Sequence, residues 1–224
     1  MSGDIAKFNA AQAALEFIKD GMIVGLGTGS TSAHFVRLLG DRVRQGLRVK
    51  GVPTSEATRN LAEQVGVPLL EISQITSIDV DVDGADEVDP GFRLIKGGGG
   101  ALLREKIVAA ASKRMVVIAD ESKWVETLGA FPLPVEVTRF GFALTQARVQ
   151  AALRATGCAG DEVALRVSGK ANEPVITDGG NYILDAHAKR IPDADALGAA
   201  LKQIAGVVEH GLFLALTQTV TVGH

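Results

Sequence analysis

The 224-residue sequence has little of several residue types that particular protein classes require. Its one cysteine, Cys158, excludes a disulfide within the chain and is typical of proteins kept in a reducing compartment. With a single cysteine and four scattered histidines, a zinc site is not expected. Aromatic residues make up only 4%, but 46% hydrophobic and 22% charged residues indicate a globular protein rather than a disordered one.

The sequence also lacks an excess of positive charge and a long apolar segment. Its net charge is −3, whereas nucleic-acid-binding proteins usually present a basic face. No apolar run approaches the roughly 20 residues of a membrane-spanning helix. Residues 1–21 show no basic stretch followed by an apolar core, as a secretory signal would. We therefore predict a cytoplasmic protein that binds neither nucleic acid nor membrane.

Through residue 120, short apolar runs alternate with segments of helical periodicity. The runs at 22–26, 49–52 and 115–119 are typical of buried strands. Residues 78–83 (IDVDVD) alternate with a period of two, which predicts a strand with acids on one face. Strands that alternate with helices predict a parallel sheet joined by right-handed crossovers. The predicted fold class is therefore α/β, with a Rossmann-like parallel-sheet domain.

From about residue 131 the pattern is that of a smaller α+β domain of ferredoxin-like type. Its predicted elements are strands at 132–137, 163–167, 175–176 and 182–184, helices at 142–155 and 193–204, and a hairpin turn at 178–181 (DGGN). The apolar run 212–216 is expected to return to the first sheet. The predicted organisation is a Rossmann-like catalytic domain of residues 1–130 plus 206–224 and a small α+β domain of residues 131–205.

Four polar clusters follow apolar strands or strand-like runs. They are residues 27–31 (GTGST), 83–87 (DGADE), 96–100 (KGGGG) and 120–123 (DESK). Ligands of open parallel sheets bind beyond the carboxyl ends of the strands. The four clusters together therefore predict one active-site rim.

The GTGST loop, residues 27–31, lies between a predicted strand and a predicted helix. Its glycines let the backbone approach an anion, the amides at the helix start donate to it, and Ser30 and Thr31 add hydroxyls. A dinucleotide site is the obvious competitor, but Ser30 stands where the fingerprint requires its third glycine. Residues 53–55 (PTS) also stand where that fingerprint would place an acid. Phosphate or carboxylate binding, dinucleotide binding and a simple tight turn all remain open on this motif alone.

Residues 83–87 place several carboxylates within a few positions. Such a cluster binds a metal, shares protons and hydroxyls with a polar substrate, or is a solvated turn. The ligand spacing and terminal glutamate of an EF-hand are absent. Asp79 and Asp81 are interpreted as ordinary polar residues of the strand.

Lys96 precedes four consecutive glycines, whose ordering costs entropy and indicates that backbone amides are needed at close range. A cation at the start of this loop is suited to stabilise a developing oxyanion. Glu105 falls in the following helix and is a candidate general base for a carbon acid next to a carbonyl. Taken alone, residues 104–106 (REK) are equally typical of a charged helix surface.

The set of motifs resembles type A ribose-5-phosphate isomerase. The resemblance rests on the order and spacing of residues 27–31, 83–87, 96–99 with 104–106, 119–123 (ADESK) and 131–137 (FPLPVEV). It extends through residues 178–181 and 206–208 and so covers nearly the whole chain. Each motif is modestly specific, and the set is highly specific.

The resemblance implies an enzyme that interconverts ribose 5-phosphate and ribulose 5-phosphate through an enediolate, in the pentose phosphate pathway and without metal or organic cofactor. It implies that Glu105 is the proton acceptor and that Asp83, Asp86 and Lys96 assist ring opening and charge stabilisation. The substrate-binding residues that it implies are Lys7, Thr28, Gly29, Ser30, Thr31, Gly84, Ala85, Gly97, Gly98, Gly99 and Lys123. It also implies a sugar-phosphate substrate as partner and a homodimer or homotetramer. Gly100 stands where alanine is common in the family.

Two rival interpretations belong to other classes. A sugar-phosphate sensor without catalysis would keep the GTGST loop and need no base at Glu105; it would also carry a DNA-binding module, for which no room is expected before the first strand. A relative of the acyl- or CoA-transferases would use a glutamate nucleophile and bind CoA. Thioester chemistry would distinguish that enzyme.

Overall fold

The computed structural model describes residues 2–169 and 171–223. The α-helices of this part of the chain are α1 (Ser2–Ala14), α2 (Ser30–Arg44), α3 (Glu56–Gln64), α4 (Leu102–Ala110), α5 (Phe142–Ala155) and α6 (Ala194–Lys202). Its β-strands are β1 (Ile23–Leu26), β2 (Lys50–Pro53), β3 (Val80–Gly84), β4 (Glu87–Val88), β5 (Leu94–Ile95), β6 (Met115–Asp120), β7 (Leu133–Val137), β8 (Glu162–Leu165), β9 (Val167–Ser168), β10 (Glu173–Pro174), β11 (Tyr182–His187), β12 (Val207–His210), β13 (Leu212–Phe213) and β14 (Thr219–Gly223).

The chain divides into two compact units. The first comprises Met1–Ala85, Arg104–Trp124 and Leu216–His224, and the second comprises Asp86–Leu103 and Val125–Ala215. These bounds differ from the predicted ones because residues 86–103, 125–130 and 206–215 belong to the second unit. The pairing of short strands explains much of the difference, since β5 pairs with both β4 and β13 in a small antiparallel sheet.

The first unit is built on a five-stranded parallel sheet in the order β14-β6-β3-β1-β2. Its core contains Val24 and Leu26 of β1, Val82 of β3 and the buried face of α2, including Phe35 and Leu39. Apolar strands alternating with helices thus form the predicted Rossmann-like α/β architecture, which is confirmed. No helix among residues 2–169 and 171–223 has the length and hydrophobicity needed to cross a bilayer.

The last strand of this sheet was predicted in the wrong place. Residues 212–216 do not return to it, because β13 pairs with β5 in the second unit. The strand that does return is β14, which pairs in parallel with β6 from Thr219↔Val116 to Gly223↔Asp120. Threonine alternates with valine along β14, so this strand does not show the continuous apolar run that marks the other strands.

The acids of β3 are buried rather than solvent-facing. Asp81 and Asp83 are both fully buried, since β3 lies between β1 and β6 in the middle of the sheet. Asp81 lies against Gly25 of β1, where a Cβ atom would come within 2.5 Å of Asp81 Oδ1. Asp81 is a residue of the strand, as interpreted, but a fully buried one, and Gly25 is needed to accommodate its carboxylate.

The second unit contains the predicted ferredoxin-like arrangement. The order β7-α5-β8-β11-α6-β12 gives an antiparallel sheet in the order β12-β7-β11-β8. The predicted strand at 175–176 is not formed as such: β10 pairs with β9, and Ile176 makes only an isolated bridge to Tyr182. The predicted turn at 178–181 lies between them, with the Thr177 N–H donating to the Asn181 carbonyl at 2.9 Å.

Candidate active site

In the first unit the GTGST loop joins β1 to α2, as predicted. Gly29 has φ 116°, a left-handed conformation that favours glycine, and α2 begins at the next residue, Ser30. The first amides of α2 are therefore preceded by a glycine, which is the arrangement found in anion-binding loops. Lys7 of α1 donates from Nζ to Ser30 Oγ at 3.0 Å. The structure thus brings together two of the predicted substrate-binding residues, one cationic and one hydroxylic.

A cluster of hydroxyl groups fixes the side chain of Thr28. Its Oγ1 donates to Ser55 Oγ at 2.9 Å and lies 2.7 Å from Thr54 Oγ1 and 3.2 Å from Thr58 Oγ1. Two of these hydroxyls also hold the loop backbone, since Thr54 Oγ1 donates to the Leu26 carbonyl and Thr58 Oγ1 to the Gly27 carbonyl. Of the three, Ser55 is also the N-cap of α3. Their role toward Thr28 was missed, because only the pairing of β1 with β2 brings them near it.

Asp83 lies near the end of β3, beside the same loop. Its Oδ1 accepts hydrogen bonds from the Thr28 N–H at 3.1 Å, the Ser32 hydroxyl at 3.1 Å and the Gly84 N–H at 2.7 Å. Gly27 leaves the room for this carboxylate, because a Cβ atom there would lie 2.0 Å from Asp83 Oδ1. Asp83 is therefore held in one orientation against the loop, and Ser32, which the sequence did not single out, is part of its support.

Glu105 lies in the first turn of α4 and is only 3% exposed. Its neighbour Arg104 is partly exposed and donates from Nη1 to Glu56 Oε1 at 2.8 Å. That hydrogen bond is the main reason why the pKa of Glu56 lies below its usual value. Residues 104–106 are therefore not a uniform charged surface, because Arg104 makes a surface ion pair while the Glu105 carboxylate is withdrawn from solvent.

Lys123 closes a short 3₁₀ helix, Glu121–Lys123, that follows β6. Asp120 caps this helix by accepting a hydrogen bond from the Ser122 N–H at 3.0 Å. Burial raises the pKa of Asp120, but the Ser122 hydrogen bonds, together with the charges of Lys123 and Lys7, lower it below its usual value. The negative charge of Asp120 thus interacts with both lysines among the predicted substrate-binding residues.

In the second unit, Asp86 and the glycine loop (residues 97–100) are held together. The Gly98 N–H donates to Asp86 Oδ2 at 2.7 Å, and a Cβ atom on Gly98 would lie 2.6 Å from Asp86 Oδ1. The loop turns tightly, with the Gly100 N–H donating to the Gly97 carbonyl at 3.0 Å and with φ 104° at Gly97. Gly98 and Gly99 are exposed. The run of glycines is therefore required both for its backbone conformation and for the approach of Asp86.

Lys96 is 2% exposed and stands at the start of this loop. Its backbone N–H donates to the Gly211 carbonyl at 2.9 Å, and its Nζ lies 5.4 Å from the centre of the Phe213 ring, within cation–π distance. Phe213 belongs to β13, which pairs with the strand that precedes Lys96. The return of the chain to residues 212–213 thus positions a cation of the predicted site.

Glu87 has a structural role. Its carboxylate accepts hydrogen bonds from the Gly129 N–H at 2.7 Å and the Phe131 N–H at 2.6 Å. Residues 83–87 are not a single acidic turn, since Asp83 lies within β3 and Glu87 begins β4. Among residues 2–169 and 171–223 there is no group of three or more His, Cys, Asp or Glu side chains arranged to hold a metal ion.

The fold and these loops define an α/β protein of the Rossmann-like class with polar loops at the carboxyl ends of its strands. The family model described as ribose 5-phosphate isomerase A (phosphoriboisomerase A) matches residues 50–224, and the chain belongs to this family. It is 59% identical over 216 residues to ribose-5-phosphate isomerase A of Methylorubrum populi, covering 96% of this chain and 91% of that protein.

Two further relatives agree with that assignment. The chain is 56% identical over 214 residues to ribose-5-phosphate isomerase A of Maricaulis maris, covering 96% of this chain and 92% of that protein. Among solved structures, a D-ribose-5-phosphate isomerase in complex with phospho-erythronic acid superposes with a TM-score of 0.90 at 39% identity, over 98% of this chain and 94% of that one.

Proposed function

We propose that this protein is an aldose–ketose isomerase that interconverts D-ribose 5-phosphate and D-ribulose 5-phosphate, a step of the non-oxidative pentose phosphate pathway. The observation that carries the proposal is membership of the ribose 5-phosphate isomerase A family, with relatives of that name that match 96% of the chain. The withdrawal of Glu105 from solvent supports it, because a carboxylate with little water around it is suited to abstract a proton from carbon.

We propose that Glu105 removes the proton from C2 of the open-chain aldose and returns it to C1 of the enediolate. The oxygen on C1 gains a proton and the oxygen on C2 loses one, so the atoms and charges balance. The ammonium of Lys96 and the backbone amides of the glycine loop, chiefly that of the exposed Gly99, are proposed to stabilise the developing oxyanion. Because these groups interact more strongly with the enediolate than with the sugar, they would raise the rate more than the affinity.

The phosphate group is proposed to bind in the first unit. The Lys7–Ser30 hydrogen bond, the amides at the start of α2 and the Lys123 ammonium supply cationic and N–H donors for a dianion. Thr28, Gly29 and Thr31 complete this set, with Thr28 fixed by its hydroxyl cluster. Binding energy from the phosphate would serve to orient the reacting carbons, which lie away from it.

The sugar hydroxyls are proposed to contact Asp83 and Asp86, with Gly84 and Ala85 leaving room for the chain of the sugar. Three donors of the protein hold Asp83 Oδ1 and so fix the orientation of this carboxylate. One of the two carboxylates would assist opening of the furanose ring. The catalysis is proposed to need no metal and no organic cofactor, and the protein is proposed to act as a cytoplasmic homodimer or homotetramer.

A time course of NMR spectra in deuterated water tests this function. Chelator-treated protein is given ribose 5-phosphate, and the result expected is ribulose 5-phosphate with deuterium entering at the exchanged carbon. Saturable binding of the sugar phosphate without turnover would instead favour the sensor. Thioester-dependent activity would favour a transferase.

A further inference from the structure

Arg166 connects the ferredoxin-like sheet to the glycine loop. It follows β8, and its backbone N–H donates to the Ile183 carbonyl at 2.8 Å, which fixes the residue beside β11. Its Nη1 donates to the Gly97 carbonyl at 2.9 Å and to the Gly98 carbonyl at 3.1 Å. This one side chain thus makes two hydrogen bonds to the backbone of the loop that the proposed site uses.

Asp185 of β11 holds the other edge of the same guanidinium. Arg166 Nε donates to Asp185 Oδ2 at 2.9 Å, and Nη2 contacts Asp185 Oδ1. Both side chains are largely buried, with exposed fractions of 14% and 21%. The guanidinium is planar, so fixing its Nε edge on a carboxylate also fixes the direction of the Nη1 donors. Asp185 therefore orients the two N–H groups that reach the glycine loop.

The consequence for the loop follows from the planarity of the peptide bond. The peptide between Gly97 and Gly98 is held at both ends, because its carbonyl accepts from Arg166 and its N–H donates to Asp86. In the next peptide the Gly98 carbonyl faces Arg166, so the Gly99 N–H points to the opposite side. Four glycines in a row have no side chains to select these orientations, and the hydrogen bonds from outside the loop select them instead.

We propose that Arg166, oriented by Asp185, is a positioning residue that sets the direction of the Gly99 N–H toward the reacting oxygen. This inference rests on the proposed function, in which that amide and Lys96 stabilise the enediolate. Arg166 does not itself touch the substrate in this account. Its contribution is to preorganise a donor whose reorientation would otherwise oppose catalysis.

The principal test removes both charges, so that neither is left buried and unpaired. In the variant R166M/D185N, kcat is expected to fall on the order of 10- to 100-fold, with a smaller change in KM, because the lost alignment matters most in the transition state. Exchange of the Gly98 amide with deuterium, followed by NMR, is expected to quicken roughly fivefold to tenfold as its peptide loses the hydrogen bond from Arg166.

The matched control is the ion pair between Arg154 and Asp161, which lies in the same unit and is exposed. The variant R154M/D161N removes the same two groups without touching the glycine loop and is expected to keep wild-type kcat, KM and Gly98 exchange. A second variant, R166K, keeps the positive charge beside Asp185. A single ammonium lacks the fixed fork of donors, so R166K is expected to show lower kcat and faster Gly98 exchange even if R166M/D185N fails to fold.

Two different failures can be told apart with K96M. If K96M keeps full activity, the proposed role of Lys96 and the glycine loop in catalysis is wrong. If K96M is inactive while R166K and R166M/D185N retain wild-type kcat and Gly98 exchange, that role stands and the inference about Arg166 is overturned. A fall in kcat without any change in Gly98 exchange would also overturn it, because the effect would then not pass through the loop.

Discussion

The Ser32 hydroxyl donates a hydrogen bond of 3.1 Å to Asp83 Oδ1 and accepts one of 3.2 Å from the Gly84 N–H. Ser32 lies in the first turn of α2, just after the GTGST loop, and Asp83 lies near the end of β3. One buried hydroxyl therefore links the helix of the proposed phosphate site to a carboxylate proposed to contact the sugar. The helix proposed to bind the phosphate and the carboxylate proposed to bind the sugar would thus be joined by a hydrogen bond.

Replacing Ser32 by alanine tests this link. Ser32→Ala removes one donor to a fully buried carboxylate, so the free energy of unfolding is expected to fall by about 1–3 kcal/mol. If Asp83 acts on the substrate, kcat/KM is expected to fall roughly tenfold, because the orientation of its carboxylate is loosened. Urea denaturation and initial rates measure the two effects. Ser112→Ala removes a hydroxyl that donates to the Val108 carbonyl of α4 and should leave kcat/KM unchanged. Equal losses of kcat/KM in both variants would contradict the link.

Gly27 is the residue that allows Asp83 to approach the loop. A Cβ atom there would lie 2.0 Å from Asp83 Oδ1 and 2.6 Å from the Asp83 Cα, so Gly27→Ala forces β3 and the loop apart. The free energy of unfolding is expected to fall by about 1–3 kcal/mol, the usual cost of overpacking, and activity should be lost with it. Gly3→Ala is the control, because Gly3 has open space around it in α1. Wild-type activity in Gly27→Ala would show that the loop need not pack against Asp83.

Asp79 gives the first unit a dependence of stability on pH. Its carboxylate accepts from Lys113 Nζ at 2.7 Å and from the Ile23 N–H at 2.9 Å, and these bonds, the Lys113 bond first, hold its pKa below 3.8. A carboxyl whose pKa is lower in the folded state stabilises the protein above the unfolded-state pKa, and this contribution disappears as the pH falls through the folded-state pKa. Asp79→Asn is therefore expected to lower the free energy of unfolding at pH 7 by at most about 1 kcal/mol, since the pair is partly exposed.

The measurement for Asp79 is urea denaturation of the wild type and Asp79→Asn between pH 7 and pH 2. The difference in free energy of unfolding should be constant from pH 7 to about pH 5 and should shrink below about pH 4. For comparison, Asp79→Asn is also made in a Lys113→Met variant, where it should lower the free energy of unfolding by less than it does in the wild type. A difference that grows as the pH falls would mean that the bonds to Asp79 do not favour its ionised form.

The sequence predicted those parts of the fold that local pattern determines. The helix α5, Phe142–Ala155, was predicted to the residue. The strand β14 was missed because threonine at every second position interrupts its apolar pattern. Residues 212–213 were misassigned because their partner, β5, is a strand of only two residues that carries no pattern of its own.

The side chains that support the proposed site were less accessible to prediction. Thr54, Thr58 and Ser32 are common hydroxyl residues at helix starts, and only the pairing of the strands places them against Thr28 and Asp83. Arg166 is separated from the glycine loop by nearly 70 residues of sequence, and its partner Asp185 becomes visible only through the register of β11 with β8. For Glu105 the local sequence was misleading: residues 104–106 are typical of a charged helix surface, but the Glu105 side chain is buried.

The central claim is that this family member uses Glu105 as its catalytic base, and the variant Glu105→Gln tests it most directly. Glutamine keeps the size of the side chain but does not accept the proton, so kcat is expected to fall about 10²- to 10⁴-fold, with little change in the binding of sugar phosphate. The control Glu63→Gln changes an exposed glutamate of α3 and should keep wild-type rates. The measurement is the NMR time course in deuterated water, followed for both variants at equal protein concentration. The account predicts that Glu105→Gln loses both ketose formation and deuterium entry into the substrate; turnover at the wild-type rate in that variant would contradict it.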